Sequence, residues 1–211
     1  MHTLRHFIAI CALTTVPLGG LVAQRTDGSS VAGDATAASH RIKIGASTLL
    51  GIPSIGVERP LARTGRTFQW DMLVSPWASV EGFPLYFVVG TAEWRAYRGR
   101  AADGWYAAVH AGLGAFQIQR WDYRDSTIYH EGANFMVGGS VGHAWRTRRG
   151  WVVDAYLGGG TVQSLYKSYD RLTGSRVDGA KLWNISGEIL PYRTGLSIGL
   201  PPRSTATSLR E

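Results

Sequence analysis

Glu93 and Arg95 stand two apart in the stretch "VVGTAEWRAYRG", residues 88–99, with Trp94 between them. Opposite charges at that spacing share one face of a β-strand, and the tryptophan takes the other. Further along, His110 and Asp154 add two more groups able to handle protons. Glu93, His110 and Asp154 are acid–base types that would serve catalysis wherever a substrate could reach them. His110 with either carboxylate also has metal-ligand chemistry, but no short ligand spacing accompanies the three, so neither metal nor other cofactor is expected. What these side chains do depends on the elements that carry them and on which way each face looks.

The chain has 211 residues, of which 27 are glycine and eight tryptophan, and only 18% are charged. Its size suits one domain. A glycine-rich, aromatic-rich chain without leucine-rich amphipathic runs points to an all-β protein with many tight turns. The net charge is +7. Its arginines scatter over turns and strand ends, at Arg63, Arg66, Arg98, Arg100, Arg146, Arg148 and Arg149. Nucleic acid would need a focused patch and a recognisable module, so no nucleic-acid partner is expected.

Residues 1–23 read as a signal peptide: Arg5, then the apolar run "FIAICALTTV", then Pro17 and "LVA" before a cut after Ala23. The one cysteine, Cys11, falls inside that segment, so the exported chain would have no thiol. Residues 24–39 are small and polar and read as a flexible leader. Residues 40–200 form the expected domain, and 201–211 a polar tail.

Within the domain, period-two alternation recurs eight times, over 41–50, 54–61, 67–75, 86–99, 105–115, 134–145, 151–160 and 192–200. Three connections are short: "ARTGR", "GRAADG" and "RTRRG". Those through "PWASVEGFP", "QRWDYRDSTIYHEG" and "YKSYDRLTGSRVDGAK" are longer, while "GIP" is a short exception among them. An even count of strands, short turns at one end and long loops at the other predict an eight-stranded antiparallel up-and-down transmembrane β-barrel.

That setting fixes the orientation. An arginine facing lipid costs about 2–4 kcal/mol at mid-depth, whereas tryptophan and tyrosine favour the membrane–water interface. An inward charge network is therefore expected from Lys43, Glu58, Asp71, Glu93, Arg95, His110, Asp154 and Arg193. Outward interfacial aromatics are expected at Trp70, Trp77, Trp94, Trp105, Trp145, Trp151 and Tyr192. Eight strands enclose only side chains. The charges, with Gly56, Gly112, Gly138 and Gly195 making room, read as a structural plug that leaves a substrate no path.

Two rival functions are weighed on the same residues. Barrels that deacylate lipid A share an outward His-x-Ser pair. Here "SVGH" puts Ser140 before His143 at another spacing, and "YHEGANF" has no serine two places after its histidine. A lipocalin-like soluble barrel would hold an apolar ligand in an apolar interior, against which the charged parity speaks.

Seven segments carry a resemblance. "IPSIGVERPL" with Glu58, "VSPWA" with Pro76 and Trp77, "AEWRAY" with Glu93 and Arg95, and "AVHAG" with His110 come in that order. "GHAW" followed by "WVVDAYLGGG" with Asp154, and "LPYRTGLSIGL" with Arg193, complete the set. In this order they resemble the DUF3575 family of small outer-membrane barrels, over about residues 42–200. His143 stands where that family has tyrosine, Asp154 where it has glutamate, and Arg193 where it has lysine. The resemblance implies an envelope location and no established activity. The expectation is a non-enzymatic protein of the bacterial outer membrane, in contact with lipid and lipopolysaccharide. Loops 118–131 and 164–182, with Trp121, Tyr123, Tyr129, Tyr166 and Tyr169, are the expected surfaces for a protein or glycan partner.

Overall fold

The computed structural model describes residues 40–61, 65–80, 82–119, 125–177, 179 and 182–201. The expected signal peptide, the leader, the tail from 202 onward, Trp121 and Tyr123 lie outside the described residues.

Eight antiparallel strands follow one another around a closed barrel. They are β1 Arg41–Gly45, β2 Ser54–Pro60, β3 Arg66–Val80, β4 Phe83–Tyr97, β5 Gly104–Ile118, β6 Ile128–Arg146, β7 Val152–Asp170 and β8 Asn184–Gly199. Each pairs with its sequence neighbours, and β8 closes on β1 through three residue pairs, Lys43 with Gly199, Ile44 with Ile198 and Gly45 with Ser197. Following the register from Lys43 through Gly56, Asp71, Thr91, Gly112, Met136 and Val162 leads to Glu188, well above Gly199. The sheet is therefore sheared by about ten residues, which tilts the strands and sets a narrow bore.

At the end marked by the short turns, glycine is required where the chain reverses. Gly65 has φ +74°, and a Cβ there would stand 2.6 Å from the Gly99 carbonyl of the neighbouring turn.

The opposite end departs from the sequence reading. β6 and β7 begin or continue well beyond the expected 134–145 and 151–160, and β8 starts at Asn184 rather than at 192. The segment "PWASVEGFP", expected as a loop, is the top of the β3–β4 hairpin, with only residues 81–82 between the strands. Tyr129, Tyr166 and Tyr169, expected on loops, lie in β6 and β7. There the outward side chains change from apolar to mixed, as at Glu131 and Lys167, and the simple alternation that marks a strand is lost.

β1 and β2 do not follow this growth. A 3₁₀ turn, Ala46–Leu50, joins them low on the wall. Above it, among the described residues, β3 from Ser75 and β8 down to about Tyr192 have no strand between them. The ring is complete at the turn end and has a gap on one side at the loop end.

Candidate functional site: the charged interior and the space above it

Residues two apart on each strand point the same way, so the charged parity of every strand converges on the axis. Lys43, Glu58, Glu93, Arg95 and Asp154 are all at most 1% exposed, and their neighbour Trp94 is 40% exposed. The pair that opened the sequence reading thus points inward, with its tryptophan outside.

Asp154 is the hub. Its Oδ2 accepts from Lys43 Nζ at 2.8 Å and from Arg95 Nη1 at 2.6 Å, and its Oδ1 accepts from the Tyr106 hydroxyl at 3.0 Å. Glu58 Oε1 accepts from Thr67 Oγ1 and from the Tyr97 hydroxyl, each at 2.8 Å, and Lys43 Nζ lies 3.0 Å from Glu58 Oε2. Glu93 accepts from Nε of Arg95 and from Nε of Arg193, and Ser140 Oγ donates to it at 3.0 Å. Arg193 Nη2 reaches Asp71 at 2.6 Å, and the Gln69 amide donates to Asp71 and accepts from Lys43.

Arg41, absent from the expected set, is 5% exposed and stands 4.0 Å from Glu58. Its parity with Lys43 was the available signal. With it, four cations (Arg41, Lys43, Arg95, Arg193) face four carboxylates (Glu58, Asp71, Glu93, Asp154). A buried charge set is tolerable when it is near neutral and hydrogen-bonded throughout. The hydroxyls of Tyr97 and Tyr106, missed as members, occupy carboxylate lone pairs the cations leave.

His110 and Tyr192 form the upper boundary of this plug. His110 Nε2 and the Tyr192 hydroxyl are 2.8 Å apart, and His110 Nδ1 lies 3.7 Å from Glu93. Tyr192 therefore corrects the expected outward aromatic set. The register of β7 against β8 slips between Gly158 and Gly160, so that Pro191 and Tyr192 together face Gly159. This bulge turns both Tyr192 and Arg193 inward. Gly138 makes the room, since a Cβ there would stand 2.9 Å from the Tyr192 hydroxyl. Trp77 also departs from the expected set. It shares the parity of Asp71 and Ser75, and its ring lies against Gly51, where a Cβ would stand 2.5 Å away. Trp70, Trp94, Trp105, Trp145 and Trp151 all lie on the exterior, 39–64% exposed.

Ser140 and His143 sit on opposite faces of β6. Ser140 meets Glu93 inside, while the His143 ring lies between Trp105 and Trp145 outside, at 5.0 and 4.5 Å. Among the described residues no three His, Cys, Asp or Glu side chains gather as a metal site would need.

The expectation of a filled interior holds for the lower half only. Above His110 and Tyr192 the bore opens into a cavity of about 330 Å³ walled by β4 to β8. The strands that reach this height leave room because Gly114 and Gly132 carry no side chains on the inward parity and neither β1 nor β2 closes the wall here.

At the rim of the cavity, Asp170 closes the β7–β8 connection. Hydrogen bonds from the Thr173 N–H, from the Thr127 hydroxyl and from the Leu172 N–H hold its carboxyl below the usual range. A carboxyl whose pKa is lowered on folding contributes stability above its unfolded pKa and loses it as pH falls through the folded value. Asp170→Ala is expected to free this turn, read as faster tryptic cleavage after Arg171 at neutral pH. Wild-type protein should loosen at this turn only under more acid conditions than an ordinary aspartate requires, read there as pepsin cleavage beside Leu172.

The family model described as "Protein of unknown function (DUF3575)" matches residues 31–189. No curated protein and no solved structure matches the chain.

Proposed function

The chain belongs to the DUF3575 family, and from that premise we propose that it is an integral β-barrel of a bacterial outer membrane, structural or interactive rather than catalytic. One observation carries this reading: the polarity of the wall is inverted. Ionic groups fill the centre, and the exterior is apolar, with Ile42, Val57, Trp70, Val109, Val141, Leu157, Leu196 and Ile198 each between 39% and 60% exposed.

The exterior has the dimensions of a membrane belt. Between Arg59, Arg66 and Arg98 at the turn end and Glu131 with Lys167 at the loop end, outward positions of the eight strands carry no charge. On β6 that stretch runs from Trp145 to Ala133, which at an ordinary rise and barrel tilt is about 30 Å high. In water, so much exposed apolar surface would be an aggregation liability. The arginines of the turn end suit anionic headgroups, each at about 1 kcal/mol, and the tryptophans near that end suit the interface.

On this reading residues 1–23 direct export, lipid and lipopolysaccharide surround the belt, and the loop end meets any protein or glycan partner. Every carboxylate of the plug is committed to a cation, which favours a structural role for them over proton transfer. The test is gel mobility of purified outer membranes with and without boiling. A folded barrel is expected to migrate differently before heating and to remain with the membrane after a carbonate wash. Release by the wash would sink the proposal.

A further inference from the structure

The interior changes character half-way up. Below His110 and Tyr192 it is ionic; above them Phe87, Val89, Phe116, Ile118, Val162 and Leu190 form most of the cavity wall, with His130, Ser186 and Glu188 also on it. A vestibule that merely met water would have no reason to present aromatic and aliphatic walls over a salt-bridged floor, since leaving apolar area wet costs about 25 cal/mol per Å². The wall of this cavity is also incomplete. Between β3 above Ser75 and β8 above Tyr192 the described residues leave a window. Its sill is the 3₁₀ turn, whose Leu49 and Leu50 are 90% and 77% exposed. Its lintel is the β7–β8 connection, where Arg171 donates to the Gly82 carbonyl and its guanidinium lies 5.2 Å over the Phe83 ring. Ile189, 87% exposed, and Trp77 stand beside the opening. By the shear of the sheet, Ser75 lies near the level of Leu113 and Phe135, at the upper edge of the uncharged belt.

We propose that the loop-end cavity binds the alkyl chain of a single-chain amphiphile of the fatty-acid class, admitted through the window between β3 and β8. The inference rests on the membrane reading above, because the height of the window is defined by the belt. The cavity volume sits at the low end for ligand sites, which suits one chain and not the two of a bilayer lipid. Asn134 and Ser164 stand among the apolar side chains, and Asn134 has a buried amide oxygen with no hydrogen-bond partner. The Ser164 hydroxyl can donate to the carboxyl of such a molecule, and the Asn134 oxygen can accept from its protonated form.

The experiment uses the full exported chain inserted in phosphatidylcholine vesicles, with insertion verified in each sample by heat-dependent gel mobility. A fatty acid carrying a photoreactive diazirine near its tail is added and irradiated, and labelled peptides are mapped. Labelling is expected on inward positions of β4, β5 and β7, saturable, and competed by unlabelled fatty acid. Ser164→Trp, which fills the cavity, and Phe116→Glu, which charges its wall, should each weaken labelling by about tenfold. Thr161→Trp, on the exterior of the same strand, should not. Whichever cavity variant still shows the folded mobility decides the matter. Labelling confined to outward positions, or unaffected in the folded cavity variant, overturns the inference while the inserted protein leaves the membrane reading standing. Equal labelling by a two-chain phospholipid bearing the same diazirine also overturns it. A chain that does not insert overturns both.

Discussion

Arg95→Met is expected to destabilise the barrel by about 3–5 kcal/mol, the range for removing one partner of a buried ionic network. Arg95 is completely buried and reaches Asp154, Glu93 and, at 4.0 Å, Glu58, while its guanidinium stacks 4.6 Å over the Tyr106 ring. Methionine keeps much of the volume, so the loss is electrostatic. Asp154 retains Lys43 and Glu93 retains Arg193, but the interior is left with one uncompensated negative charge. The measurement is the denaturant midpoint for loss of the fast-migrating folded form in vesicles. Trp94→Ala, one residue away on the exterior, should shift that midpoint far less, because it exposes no charge. Equal shifts for the two would mean that the plug is not what holds the barrel together.

Val141→Arg is expected to reduce insertion sharply, by about 2–4 kcal/mol if the side chain sits near the bilayer midplane. Val141 is 55% exposed and lies near the middle of the uncharged outer stretch of β6, which runs from Trp145 to Ala133. In a water-soluble barrel the same substitution at so exposed a site would change stability by no more than about 0.5 kcal/mol. Folding yield into vesicles against yield in detergent-free buffer separates the cases. A variant that stays soluble and folded without lipid would refute the membrane assignment.

The parity of most strands was legible because alternation has a period of two, and a charge on the wrong face is costly. Lys43, Glu58, Glu93, Arg95 and Asp154 could be placed inside from their spacing alone. Tyr192 could not. The bulge opposite Gly159 inserts one extra residue, and every position on the N-terminal side of it changes face relative to a straight strand. The triple glycine of β7 is a weak hint of such a close approach, but it does not say which residue of the partner strand is extra. Arg41 shares the parity of Lys43, but its place at the start of β1 suits a strand-end arginine in water equally well. The tall ends of β4 to β8 were hidden for a different reason. There, both faces are half-buried and carry the same kind of side chain, as in residues 83–89 of β4, which are apolar or aromatic on both parities, so no alternation marks the strand. The cavity follows from those unseen ends together with the shortness of β1 and β2, a three-dimensional fact that no single segment encodes.

β6 and β7 share a long ladder from Ile128 with Asp170 to Arg146 with Val152, yet β1 and β8 meet at only three pairs. A cylinder stitched so lightly along one line would come undone there first. The thread is instead inside: Lys43, rooted on β1, reaches past β8 to Asp154 on β7, and also grips Glu58 and Gln69 on the other side. What keeps the ribbon a tube along that line is an ammonium group seated among carboxylates as much as the few backbone amides beside it.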